Sequence, residues 1–426
     1  MDTIYIAGGQ RLEGEFKVNG SKNGTLAVMA GALLAKGTTV LQNVPRIGDI
    51  YTMVEMLRQL GVKTRIDGNN VEIDATTIDT NEAPYELVKK MRASFSVAGP
   101  LLARLGSAKV PMPGGCDIGA RPVDFHVKGL QALGAHVTIE HGYVTATADK
   151  LRGAEVYLDF PSAGATQHLM TAAALAEGVT RIENAAQEPE VVDLANFLIA
   201  MGAQIRGHGT GTIEVVGVDE LHSVTYPMIP DRMEAGTFAI AVAVTRGDVV
   251  MRGALAEHCT AVLQKLQEAG IKVSSGNDWI RISNDQRPTA VDIKTMPHPG
   301  FPTDMQQPFA ALLSIAEGTS VISENVYERR FRYVAELQRM GADIVQEGRT
   351  AIIKGVPKLT GAQVTGTDLR AAAALIIAGL AAEGRTEVSG IEHLDRGYED
   401  IVGKLASLGA MIVRADSDQP QVKEAS

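Results

Sequence analysis

Residues 53–73 read MVEMLRQLGVKTRIDGNNVEI. Met53, Leu57 and Leu60 stand at i, i+4 and i+7, the apolar stripe of a helix, and Gly61 follows at i+8. A glycine there predicts a helix closed by a residue in the left-handed conformation. The period then switches from helical to alternating. Val62-Lys63-Thr64-Arg65-Ile66 leads to a polar turn at Asp67-Gly68 and on to Val71-Glu72-Ile73, the pattern of a β-hairpin. Helix, glycine and hairpin form one module, and its recurrence decides the fold.

The same ending occurs five more times. The sets are His126, Leu130, Leu133, Gly134; Leu194, Leu198, Met201, Gly202; Val262, Leu266, Ala269, Gly270; Tyr333, Leu337, Met340, Gly341; and Ile401, Leu405, Leu408, Gly409. The glycines lie about 70 residues apart, a period outside the short solenoid classes. An earlier helix begins about 40 residues before each glycine, followed by a tight turn and a β-rich run such as Val179-Thr180-Arg181-Ile182. The repeat unit is therefore strand, helix, strand, helix, hairpin. Six copies suggest two domains of three, with a proline-punctuated break at Tyr226-Pro227-Met228-Ile229-Pro230.

Both helices of each unit begin on polar residues. The first starts near Lys22, Arg92, Ser162, Arg232, Asp304 and Arg370, the second near Asp49, Arg121, Glu190, His258, Arg330 and Arg396. Helix N-termini carry partial positive charge and bind anions. Lys22, Arg92, Arg121, Arg330, Arg370 and Arg396 at such starts point to a site for a small anion in an otherwise acidic chain of net charge −10. That charge argues against a general polyanion-binding surface. Aromatic residues at 4% argue against base-stacking platforms. The repeat alone also fits an acidic ring of six α/β units of the sliding-clamp type.

Residues 111–122, PMPGGCDIGARP, lengthen the second unit. Glycine-rich connectors of this kind can move as lids. Cys116 sits there between glycine and acid, five residues before Arg121. Arg121 would lower the thiol pKa and Asp117 would raise it, so Cys116 can serve as acid or nucleophile. Cys259, in EHCTAVLQKL, reads as an inert helical cysteine. Asp304 in PGFPTDMQQP, and Asp231 and Glu234 in PDRMEAGTF, read as helix caps or as bases. Two cysteines make no disulfide framework. The histidines show no metal spacing, no Walker loop occurs, and GHGTGT at 207–212 reads as a hairpin turn. No signal peptide is visible and the longest apolar run, Ala371 to Ala382, is too short to span a bilayer. A cytoplasmic protein is expected.

The motifs SKNG (21–24), MRASFSVAGPLLAR (91–104), GGCDIGARPVDFH (114–126) and PSAGAT (161–166) resemble the enolpyruvyl transferase family. So do PDRMEAGTF (230–238), PGFPTDMQ (299–306), TDLRAAAAL (367–375) and LDRGYE (394–399). The resemblance runs in order along nearly the whole chain. Its cysteine loop marks the branch that uses UDP-N-acetylglucosamine; the shikimate 3-phosphate branch lacks it. The implied fold is α/β, with two inside-out α/β barrel domains, each of three βαβαββ repeats around a pseudo-threefold axis. Residues 21–229 would form one domain, 1–20 with 230–418 the other, and 419–426 a polar tail.

The resemblance implies transfer of the enolpyruvyl group of phosphoenolpyruvate to the 3-hydroxyl of UDP-N-acetylglucosamine, with no cofactor or metal. This is the first committed step of peptidoglycan precursor synthesis. Another uridine nucleotide is the alternative acceptor. Cys116 would be the acid at C3 and Asp304 the base at the hydroxyl. Lys22, Asn23, Arg121 and Arg396 would bind phosphoenolpyruvate. Arg92, Arg121, Pro122, Val123, Asp124, Phe125, Ser162, Ala163, Gly164, Asp304 and Val326 would bind the nucleotide sugar, with Arg330 and Arg370 as supporting cations. Neither nucleic acid nor membrane is an expected partner. The chain departs from the usual pattern at Gly24, Thr25 and Ala27, at Gln307-Pro308, and at Tyr333.

Overall fold

The computed structural model describes residues 2–113 and 123–416. All six stripes end in the same way. Gly61, Gly134, Gly202, Gly270, Gly341 and Gly409 have φ between 88° and 108°. The residue after each glycine donates its N–H across the helix end, as in Val62 to Leu57 and Ile271 to Leu266. The glycine itself donates three residues back, Gly61 to Arg58 and Gly270 to Gln267. These paired bonds satisfy the last helical carbonyls and turn the chain into the hairpin.

The third unit displays the whole repeat. Strand Glu155–Tyr157 leads to helix Ala163–Ala173 and strand Val179–Glu183, then helix Pro189–Ala200 and the strands Gln204–Arg206 and Thr212–Val216. Val179–Glu183 runs parallel to the lead strand and antiparallel to Thr212–Val216, which pairs with Gln204–Arg206. GHGTG, the first five residues of GHGTGT, is the hairpin turn between the last two strands. Five four-stranded sheets and one of three strands are built in this way among the described residues. In the three-stranded sheet only a bridge from Glu82 to Lys109 stands where the others have a lead strand.

The chain forms two compact units. Among the described residues, a host unit holds 2–19 and 230–416, and an inserted unit holds 20–113 and 123–229. In the host unit, strand Asp2–Ala7 lies between Arg385–Ser389 and Met411–Asp416, antiparallel to both. Strand Glu13–Lys17 runs parallel to Asp248–Arg252 and opens another sheet. In the inserted unit, Thr225–Pro227 pairs in parallel with Thr38–Gln42, the first strand of that unit. The break read at Tyr226 to Pro230 contains the boundary, at its far end. Tyr226 and Pro227 are strand residues, and the chain leaves the unit only after Ile229. Pro227 is tolerated because its strand is at the sheet edge.

Each unit has its own core. In the host unit, helices Arg232–Val244, Gln306–Leu313 and Leu369–Ala381 pack on one another. Residues Ala371 to Ala378 are buried on every face, which accounts for the apolar run read from the sequence. No helix among the described residues is long and apolar enough to cross a membrane. The strands alternate, as in Val71 and Ile73 buried with Glu72 between them half-buried.

Candidate active site

In the host unit, Arg330 and Arg370 converge on Asp304. Pro302 is extended, and a single turn of 3-10 helix, Thr303–Met305, leads into helix Gln306–Leu313. Asp304 keeps a quarter of its side chain exposed, while both its oxygens meet guanidinium groups. Arg330 Nη2 donates to Oδ1 at 2.6 Å, and Arg370 Nε donates to Oδ2 at 3.1 Å. Both arginines are buried, at 3% and 5% side-chain exposure. They hold the carboxylate from behind, leaving it as the exposed member of the trio.

Each arginine is itself anchored. Arg370 Nη1 donates to the Tyr398 hydroxyl at 2.8 Å. Thr237 sends its own proton to the Met233 carbonyl, so Tyr398 donates to Thr237 Oγ1 at 2.7 Å. Burial works against the Arg370 charge, but Tyr398, Asp304 and Asp231 outweigh it and hold that guanidinium above its ordinary range. Arg330 Nη1 donates to Thr303 Oγ1 at 2.8 Å, and Thr303 donates to Glu324 Oε2 at 2.9 Å. Glu324 is wholly buried, and its other oxygen accepts from Thr295 Oγ1 and from the N–H groups of Val326 and Tyr327. Glu324 thus fixes the loop that carries Val326. Removing one partner from such a buried charged network typically costs about 3–5 kcal/mol.

Sequence reasoning missed Glu324, Thr303, Thr237 and Tyr398. It also set Arg92, His258, Arg330 and Arg396 at helix starts; the first two lie in the 3-10 segments Arg92–Val97 and Ala256–Cys259, and the structure corrects the others too. Arg330 lies in a turn before helix Tyr333–Arg339, and Arg396 ends the 3-10 segment Ile391–Arg396 ahead of helix Ile401–Ser407. Arg396 is half-buried. Asp231 is the N-cap of helix Arg232–Val244, accepting from Met233 and Glu234 N–H. Glu234 accepts from Asn19 N–H and from Lys404 Nζ. Burial lifts its carboxyl to about 6, with Lys404 and Asn19 acting against the rise. Cys259 is buried at the start of helix Thr260–Glu268.

In the inserted unit, Ser21 caps helix Lys22–Gly31 through Gly24 N–H, and Lys22 Nζ meets Asp49 Oδ2 at 2.8 Å. Asn23 is exposed beside it. Arg92 opens a 3-10 segment, Arg92–Val97. Val123 is buried, Phe125 is half-buried and Asp124 is exposed at the start of helix Asp124–Ala132. Ser162 caps helix Ala163–Ala173 by accepting from Ala165 N–H. Ala163 and Gly164 form its first turn, where N–H groups have no acceptor within the helix. Cys116, Arg121 and Pro122 lie outside the described residues.

The departures noted in the sequence are interior. Gly24, Thr25 and Ala27 are buried. A Cβ on Gly24 would stand 3.3 Å from Asp193 Oδ2, closer than nine in ten real contacts. Gln307 is wholly buried and donates to Asp368 Oδ2, which ties two helix starts together. Pro308 falls in a first helical turn, where no N–H is needed. Tyr333 is buried.

A family model described as EPSP synthase (3-phosphoshikimate 1-carboxyvinyltransferase) matches residues 6–405. UDP-N-acetylglucosamine 1-carboxyvinyltransferase of Nostoc sp. is 54% identical over 96% of this chain and 93% of its own length. The protein of the same name from Trichlorobacter lovleyi is 54% identical over 97% and 99%. Among solved structures, the enolpyruvyl transferase NikO from Streptomyces tendae superposes with a TM-score of 0.88 at 27% identity, covering 97% of this chain and 98% of NikO. EPSP synthase from Acinetobacter baumannii superposes at 0.79 and 21% identity, covering 98% and 100%, a likeness of fold.

Proposed function

Because the chain belongs to the EPSP synthase (3-phosphoshikimate 1-carboxyvinyltransferase) family, we propose that it transfers the enolpyruvyl group of phosphoenolpyruvate to the 3-hydroxyl of UDP-N-acetylglucosamine and releases phosphate. The observation that carries the choice of acceptor is identity. It is 54% over nearly the full length with proteins named for this acceptor, against 21% with a solved EPSP synthase. At 27%, the likeness to NikO leaves a different acceptor as the weaker reading. The reaction places the chain in cell-wall precursor synthesis. A free thiol as the acid suits a reducing cytoplasm.

Each unit is read as an inside-out α/β barrel, its three repeats disposed around a pseudo-threefold axis. Three sheets per unit and helices buried on all faces support this. The two units are the two domains, with the N-terminal strands belonging to the second.

The chemistry follows from the residue types. Asp304 accepts the proton of the sugar hydroxyl as that oxygen bonds to C2 of phosphoenolpyruvate. Its carboxylate is aimed by Arg330 and Arg370, which fix both oxygens in place. C3 gains a proton from Cys116, a role that rests on the resemblance of the GGCDIGARP loop. The product of this step is a tetrahedral ketal. Loss of a C3 proton and rupture of the C2–O bond to phosphate then give the enolpyruvyl ether. Lys22, Arg121 and Arg396 hold the phosphate and carboxylate of the donor, where Arg supplies bidentate forks. Asn23 stands by the donor. Arg92, Arg121, Pro122 and the Val123–Phe125 segment take the nucleotide, and Val326 lines the rest. Its diphosphate lies on the first-turn N–H groups of Ala163 and Gly164 after Ser162.

Mass spectrometry after incubation with both substrates tests the reading. The nucleotide sugar should gain one enolpyruvyl group as one phosphate appears. An unchanged nucleotide sugar would refute it.

A further inference from the structure

Two imidazoles meet inside the inserted unit without a role so far. His126 Nδ1 and His168 Nδ1 lie 3.0 Å apart. Burial, with Arg92 adding to it, holds His126 down to about 4; burial, with His126 adding to it, holds His168 well below its ordinary range. Both rings are therefore neutral at pH 7, and each carries one proton. Of two neutral rings joined Nδ1 to Nδ1, one donates and the other accepts. The far nitrogens are thereby linked: the ring that donates from Nδ1 has a bare Nε2, and the other carries N–H at Nε2. His168 Nε2 is buried and has no hydrogen-bond partner among the described residues. An orphaned buried N–H is rarer than an orphaned acceptor. The bare nitrogen thus belongs to His168, and the N–H to His126.

That N–H has a defined place. His126 is in the first turn of helix Asp124–Ala132, directly after Phe125. Phe95 packs edge-on against it, centroids 5.2 Å apart at 83°, and fixes its plane. A Cβ built on Gly164 would stand 3.7 Å from His126 Cε1 and 3.8 Å from Nε2. The Nε2 edge therefore faces the first turn of helix Ala163–Ala173. We propose that His126 Nε2–H, oriented by His168 from behind, is a fixed neutral donor to the nucleotide diphosphate at the start of that helix. The inference rests on the nucleotide-sugar reading and adds one residue to that site. It also gives the glycine at 164 a reason: a side chain there would come between donor and phosphate.

Amide substitutions separate the two nitrogens. Asparagine places an amide where Nδ1 was, and glutamine where Nε2 was. Calorimetric titration with UDP and with uridine, on the intact chain and on His126→Gln, His126→Asn and His126→Phe, reads the difference. His126→Gln should keep UDP affinity within about threefold, while His126→Asn and His126→Phe should lose about tenfold or more. Uridine binding should be the same in all four proteins. If His126→Asn holds UDP and His126→Gln does not, the pair is only a structural tie and the proposal is overturned. Equal losses for uridine and UDP would overturn it too. An unsubstituted chain that binds no UDP would instead sink the nucleotide reading on which the inference stands.

Discussion

Asp304 is a partly exposed carboxylate gripped by two buried cations, and the proposed chemistry turns on it. In Asp304→Asn the amide cannot take the hydroxyl proton. Turnover should fall by about 10²–10⁴-fold. The dissociation constant for UDP-N-acetylglucosamine should change only a few-fold, as calorimetry would read it. More than a tenth of the original turnover would reduce Asp304 to a structural partner of Arg330 and Arg370. A second buried carboxylate gives a pH prediction. Burial lifts Asp193 to about 6, against a hydrogen bond from Tyr226. A raised folded pKa means that the folded state holds the proton more tightly than the unfolded chain. The associated stability is present below about pH 4 and is lost as pH rises through 6. Asp193→Asn should therefore be more stable than the parent at pH 8, by about 3 kcal/mol, and no more stable at pH 4. Urea melts at both values measure this; the same difference at both would refute it. Asp304 was legible in PTDMQ. That Arg330 and Arg370 serve it was not, because partners 26 and 66 positions away converge only in the folded chain. Glu324 gave no signal, since a glutamate at a strand end looks like any surface residue.

The elements themselves were the most legible part. A stripe at i, i+4, i+7 and a glycine at i+8 is a local code, and all six copies fold locally. Gly270 tests how much the code contributes. It has φ +88°, and nothing lies within 4 Å of a Cβ built there, so substitution meets only backbone strain. Gly270→Ala should cost about 1–2 kcal/mol in a urea melt, and Gly270→Asn less, since asparagine tolerates this conformation better. Equal stability of all three proteins would show that the glycine is dispensable. Helix starts were legible where a cap is local, as at Ser21, Ser162, Asp231 and Asp368. They were misjudged at Arg92, His258, Arg330 and Arg396, where a turn or a 3-10 segment delays the helix. The strand Thr225–Pro227 was missed for a different reason. Three residues that end in Tyr-Pro carry no alternation, and only their partner Thr38–Gln42 makes them a strand.

At the scale of the molecule, periodicity gave six repeats but not how the chain threads them. The strands Asp2–Ala7 and Glu13–Lys17 complete sheets begun some 230 to 410 positions later. No local pattern encodes pairing at that distance; family resemblance did. It also supplied the acid role of Cys116 at C3, which predicts alkylation by an anionic epoxide that mimics phosphoenolpyruvate, such as fosfomycin. Peptide mass mapping should place the adduct on Cys116, and an adduct on Cys259 alone would contradict the role. Resemblance to a family with more than one acceptor leaves the acceptor as the central claim. The most direct measurement is phosphate release from phosphoenolpyruvate with UDP-N-acetylglucosamine, with shikimate 3-phosphate and with no acceptor. The account predicts turnover with the nucleotide sugar alone. Release that is faster with shikimate 3-phosphate, or independent of any acceptor, would contradict it.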